Sequence, residues 1–127
     1  CKNTSGDATW PTKHAWVRLN ATVDGRLIAT TPIAPLCHDP TYSHEACEDL
    51  FQRWNTADTM TSLPAEIMSP WFQNQSCVPF RNQSKSCELG NYASYSINVS
   101  SVQDIIAGLA FAEKKNVRLV IKNSGHK

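Results

Sequence analysis

The sequence predicts an α+β fold in which a disulfide-stapled extension, residues 1–90, leads into a strand-helix-strand unit, residues 91–127. Three observations carry this. Cysteine, proline, serine and threonine crowd the first part, regular hydropathy marks the second, and there a capped helix stands between two alternating runs. Hydrophobic residues fill 41% of the 127 positions and charged residues 18%, which suits one compact domain with a modest core.

Pro11 at a helix start, followed by apolar Ala15, Trp16 and Leu19, predicts a short helix over residues 11–20. Arg26 to Thr30 reads as a short strand. Ser43 caps a second helix running to Trp54, in which Ala46, Cys47, Leu50, Phe51 and Trp54 recur at spacings of three and four to make one apolar face. Residues 55–90 contain Pro64, Pro70 and Pro79 and few periodic positions. They read as a loop tied down by a disulfide, with Trp71, Phe72 and Phe80 as aromatic anchors.

From Tyr92 to Val99, alternation of Tyr95, Ile97 and Val99 against Ser94, Ser96 and Asn98 marks a half-exposed strand. Ser101 with Asp104 three residues on forms a short-armed capping box, and Asp104 suits the positive end of the helix dipole. Val102, Ile105, Ile106 and Leu109 form the expected buried stripe, and Lys114 and Lys115 suit the other end. Val117, Leu119 and Ile121 then alternate with Arg118, Val120 and Lys122 until the run stops at residues 123–126. Strand, helix and strand in this order predict a crossover with parallel strands, whose carboxyl-end loops often hold ligands.

The net charge of +1 is spread without blocks, so neither nucleic acid nor an acidic membrane is an expected partner. No run approaches the roughly 20 apolar residues of a membrane helix. The start at Cys1 lacks the features of a signal peptide, which leaves a soluble or already processed chain as the expectation. Glycosylation triplets occur at Asn3, Asn20, Asn74, Asn82 and Asn98, where chance would give roughly one or two, and secretion accounts for the excess.

An oxidising compartment would also pair the five cysteines. Spacing suggests Cys37 with Cys47 and Cys77 with Cys87, without fixing the connectivity, and leaves Cys1 to bond another segment or chain. Cys37, His38, His44 and Cys47 are also possible zinc ligands, but adjacent ligands are awkward and the cysteines satisfy each other as a disulfide. His14 and His38 read as surface or locally hydrogen-bonded residues. Trp10, Trp16, Trp54 and Trp71 offer faces for a sugar, the basis of an alternative reading as a carbohydrate-binding or interaction module. Trp16 and Trp54 fall on apolar helix faces, which favours a core role. No Ser-His-Asp order, phosphate-cradling glycine loop or closely paired carboxylates stand out.

The stretch VRLVIKNSGH over residues 117–126, following Asn91-Tyr92 and Ile97-Asn98-Val99-Ser100, resembles the first half of the FAD-binding domain in the vanillyl-alcohol-oxidase superfamily, of the PCMH type. It looks closest to the secreted berberine-bridge-like oxidases. Trp10-Pro11, GRLIAT over 25–30, CHDP over 37–40, NQSC over 74–77 and CELGNY over 87–92 are similar to that group's amino-terminal extension.

The resemblance implies FAD, with His126 as the residue bonded to the flavin 8α carbon and Asn123, Ser124 and Gly125 close to the cofactor. A neutral imidazole is a competent nucleophile towards that carbon, and Gly125 permits close backbone approach. It implies an oxidase that takes a hydride from an alcohol-like carbon and passes electrons to dioxygen. Catalytic residues cannot be named within this chain, which is expected to be inactive alone. The family's phosphate loop, second flavin-binding portion and substrate domain are expected on a carboxyl-terminal chain of the same precursor. An end at the basic Lys127 is what a processing or trypsin-like protease would leave.

Overall fold

A computed structural model describes residues 1–67 and 70–125. Four helices and two short strands follow in the order α1 (Lys13–Thr22), β1 (Leu27–Ala29), α2 (His44–Arg53), α3 (Ala57–Thr61), β2 (Tyr95–Ile97) and α4 (Val102–Lys114), with 3₁₀ turns at Pro35–Cys37 and Pro70–Gln73. The mixture of helix with a small sheet agrees with the α+β expectation. The chain folds as two compact units, one of residues 1–29 with 95–122 and one of residues 30–94 with 123–127.

In the first unit, Thr12 rather than Pro11 opens α1. Its hydroxyl accepts from the Ala15 N–H, and the helix buries Ala15, Trp16 and Leu19 as their spacing predicts. Asp24 and Gly25, both at positive φ, turn the chain into β1. β1 pairs antiparallel with β2, Leu27 opposite Ile97 and Ala29 opposite Tyr95. Trp16, Leu19 and Val23 form the core, with Trp10, Leu27, Tyr95, Ile97, Ala107 and Phe111 packed around them. The Trp16 ring stacks on Tyr95 at 4.1 Å and tilts against Phe111 at 4.7 Å, offset arrangements that suit aromatic quadrupoles.

Two expectations fail in this unit. Val102, Ile105, Ile106 and Leu109 are not the buried stripe of α4: they stand 44–65% exposed, while Asp104, Ala107, Gly108, Phe111 and Ala112 face inward. The reason is distance. A Cβ added at Gly108 would lie 3.1 Å from Ile97 Cδ1, so α4 approaches the sheet more closely than a row of branched side chains allows. The helix is apolar on two sides, a pattern typical of helices covered all round. Residues 117–121, expected as a strand parallel to β2, form no strand. Val117 is buried and makes a single parallel bridge to Asn3, whereas Leu119, Val120 and Ile121 are 45–79% exposed. A strand needs a neighbour for its N–H and C=O groups, and among the described residues this segment has that one bridge alone.

The second unit has little regular structure. Disulfides join Cys37 to Cys47 and Cys77 to Cys87, and Ala34, Cys37 and Cys77 are buried among Ile33, Cys47, Leu50 and Cys87. Each bridge closes a sequence separation of 10 residues, worth about 2–3 kcal/mol against the unfolded chain. Ser43 caps α2 as expected, accepting from the Ala46 N–H. Residues 55–90 are less purely loop than their sequence suggests, because the Thr56 hydroxyl accepts from the Thr59 N–H and opens the five-residue α3. Among the described residues, Phe80 alone of the expected aromatic anchors has ring partners, meeting Phe51 and Trp54 edge-on. Trp71 and Phe72 are exposed.

Truncating the core side chain in Leu19→Ala is expected to destabilise this region by about 2–5 kcal/mol. Val17→Ala, on the exposed side of the same helix, should change it by less than about 0.5 kcal/mol. Urea unfolding of the full-length variants followed by tryptophan fluorescence checks the contrast, and equal losses would contradict this core.

Candidate functional site

The residues that the sequence marks for a cofactor are contiguous, and the described part of them ends at Gly125. Asn123 and Ser124 are exposed, and Gly125 is buried with φ +79°. That dihedral lies in the left-handed region, which costs glycine little and any branched residue a great deal. Absence of a Cβ thus lets the backbone bend at Gly125, with two polar side chains just before it. His126 lies outside the described residues.

Asp104 is a strongly perturbed carboxylate. It is buried, and its Oδ1 accepts from the Arg26 guanidinium at 2.7 Å. Its Oδ2 accepts from the Ser100 and Ser101 N–H groups at 2.9 and 3.0 Å, while its own N–H donates to the Ser101 hydroxyl. The Arg26 hydrogen bond, then the Ser100 N–H, holds the Asp104 carboxyl well below the usual carboxylate range against the opposing effect of burial. The capping box is legible from spacing. The Arg26 pairing is not, because 78 residues separate the partners. In the second unit, burial pushes the Tyr92 phenol upward, and the neighbouring Glu66 carboxylate adds to the effect.

The rival constellations come apart. Cys37 and Cys47 are bonded to each other, and the buried His38 sets its Nε2 3.1 Å from the Val78 carbonyl. Trp10 and Trp16 pack together and Trp54 meets Phe80, and Trp71, 73% exposed, has no ring contact among the described residues. Asn74, Asn82 and Asn98 are exposed, and Asn3 and Asn20 half-buried. Cys1 is exposed with a free thiol.

No family model matches the chain. Individual proteins do, across nearly all of it. The bifunctional decalin synthase calF of Penicillium decumbens is 52% identical over 129 residues, and the VAO-type flavoprotein oxidase VAO615 of Thermothelomyces thermophilus is 47% identical over 130. The FAD-linked oxidoreductase sor8 of Hypocrea jecorina is 46% identical over 126. Each match takes in 99% of this chain but only 22–23% of the relative, so the chain spans less than a quarter of their length. The crystal structure of MtVAO615 from Myceliophthora thermophila C1 superposes with a TM-score of 0.94 over 99% of this chain and 24% of that one. MtVAO713 from the same organism, at 35% identity, gives 0.88 over 99% and 23%.

Fold and sequence together match the amino-terminal part of VAO-type, FAD-linked oxidoreductases.

Because the Asp104 carboxyl titrates lower in the folded than in the unfolded chain, its contribution is full at neutral pH. It fades as pH falls below about 4, the unfolded value, and is gone below the folded one. Asp104→Asn should therefore lower Tm at pH 7 and flatten the acid limb of a Tm-against-pH curve. An unchanged curve would show that the pair contributes nothing.

Proposed function

We propose that this chain is the amino-terminal part of a secreted FAD-dependent oxidase that carries its flavin on His126 and oxidises an alcohol-like carbon with dioxygen. The observation that carries the reading is 46–47% identity to an FAD-linked oxidoreductase and a VAO-type flavoprotein oxidase across 99% of the chain. Residues near the attachment point fit such a group. Gly125 turns the backbone at positive φ, a conformation that glycine adopts at little cost, and Asn123 and Ser124 supply amide and hydroxyl groups just before it.

When bound, the flavin supplies the two-electron acceptor that no side chain offers. The chain's part is to hold it. An imidazole nitrogen of His126 would provide the covalent tether, and Asn123 and Ser124 would offer hydrogen-bonding groups to the bound flavin. Substrate specificity belongs to sequence outside this chain, and the relatives' differing names give no single substrate to carry over.

Residues 91–127 act as the start of the FAD-binding domain and residues 1–90 as its stapled extension. A carboxyl-terminal chain of the same precursor supplies the rest and covers the outward side of α4. Val102, Ile105, Ile106 and Leu109 support this, because four branched side chains on one exposed helix face make a patch that soluble proteins normally cover. Cys1, exposed and free, is available to bridge to that chain. Secretion rests on the five glycosylation triplets together with the two disulfides.

Mass spectrometry of the tryptic peptide ending at Lys127 should find FAD added to His126. His126→Ala should abolish the adduct, and any flavin retained should be released by acid. An unmodified His126 in yellow, active protein would refute the attachment. Replacing Ile105 and Leu109 together by Glu should reduce bound flavin per protein in the full-length enzyme, read from the visible spectrum, and full retention would argue against a covered α4 face.

A further inference from the structure

Five triplets read alike in the sequence, and the structure divides them by what each asparagine amide is already doing. Asn3 is fully engaged. Its Nδ2 donates to the Thr9 carbonyl at 3.2 Å and to the Lys115 carbonyl at 3.0 Å, which uses both amide hydrogens, and its Oδ1 accepts from the Thr9 hydroxyl at 2.9 Å. Its backbone N–H donates to the Asn116 carbonyl at 2.8 Å, while Asn116 Nδ2 donates to the Cys1 carbonyl at 2.8 Å. The amide is a half-buried bracket closing the start of the chain onto the end of α4.

Asn82 is the opposite case. It is exposed, in a turn inside the loop closed by Cys77 and Cys87. Its Oδ1 accepts from both the N–H and the hydroxyl of Ser84, each at 3.1 Å, and its carbonyl accepts from the Lys85 N–H. Among the described residues nothing accepts from its Nδ2. Its contacts reach only two or three residues along the chain, so a chain that has not yet folded can form them. The Asn3 bracket spans 112 residues and forms only on folding, so a sugar attached there beforehand would exclude it, and protein folded with this bracket is protein unmodified at Asn3.

We propose that Asn82 carries an N-linked oligosaccharide and that Asn3, despite its intact triplet, stays unmodified. This rests on the secretion reading above. The transfer breaks the bond between the sugar's anomeric carbon and the diphosphate of a polyisoprenoid-linked oligosaccharide donor. It forms a bond from that carbon to Asn82 Nδ2, which gives up one proton, and the lipid diphosphate departs. At Asn82 one N–H remains, and the Oδ1 contacts to Ser84 survive. At Asn3 the same substitution would take one of two engaged hydrogens, strand a carbonyl and insert a sugar between the chain start and α4. Asn74 and Asn98, exposed and with no side-chain hydrogen bond among the described residues, are compatible with a glycan.

The test is site mapping on the full-length protein exported from a yeast host, with enzymatic glycan release marking each occupied asparagine by conversion to aspartate. Asn82 should convert and Asn3 should not. Ser84→Ala and, independently, Asn82→Gln should each remove one oligosaccharide from the intact mass. Ser5→Ala, which destroys the Asn3 triplet without touching the bracket, should leave the glycan mass and Tm unchanged. Conversion of Asn3, or an unmodified Asn82, would overturn the proposal. Protein from the natural source is the separate arm. A natural protein without any glycan, beside a yeast product modified as expected, would refute secretion and leave the division between Asn3 and Asn82 standing.

Discussion

The contact between Arg26 and Asp104 is the constraint on which the first unit depends. One carboxylate receives a guanidinium from the start of β1 and closes the capping box of α4, so a single buried group fixes where the helix begins and how it lies on the sheet. A capping aspartate would ordinarily sit in solvent at a helix end. Here it is turned inward, and the helix turns with it. Gly108 then comes against Ile97, Phe111 comes against Trp16, and the other apolar side of the helix faces out.

Local chemistry was legible in the sequence and the facing of surfaces was not. Ser43 and Ser101 announce their helices because a capping hydroxyl acts within three residues. The two disulfides are suggested, though not fixed, by spacing, and each closes a short loop of its own. Periodicity in α4, by contrast, offers two apolar sides, and hydropathy ranks the branched residues above Ala107, Gly108 and Ala112. The selecting factor is how closely the helix can approach the sheet, together with a charge partner 78 residues away, and neither is written in the local pattern. For Leu119 to Ile121 alternation is present, yet pairing depends on a neighbouring strand. The five residues of α3 are too few for any period to show.

The cofactor segment divides in the same way. Gly125 can be read as a bend from its residue type, and its positive φ agrees. The role of His126 comes from family resemblance, because an imidazole beside a glycine has no pattern of its own. Similarity to VAO-type flavoproteins now stands on sequence and fold across nearly the whole chain, while the chemistry of attachment and oxidation belongs to the proposal.

The outward side of α4 bears on biosynthesis. A ribosome delivers polypeptide at about 5–20 residues per second, so if the proposed carboxyl-terminal sequence covers this face, many seconds would separate the completed helix from its cover. During that interval Ile105, Ile106 and Leu109 form a sticky stripe on a nascent module. Molecular chaperones recognise surfaces of this kind, and the yield of such a polypeptide becomes a contest between their protection and aggregation.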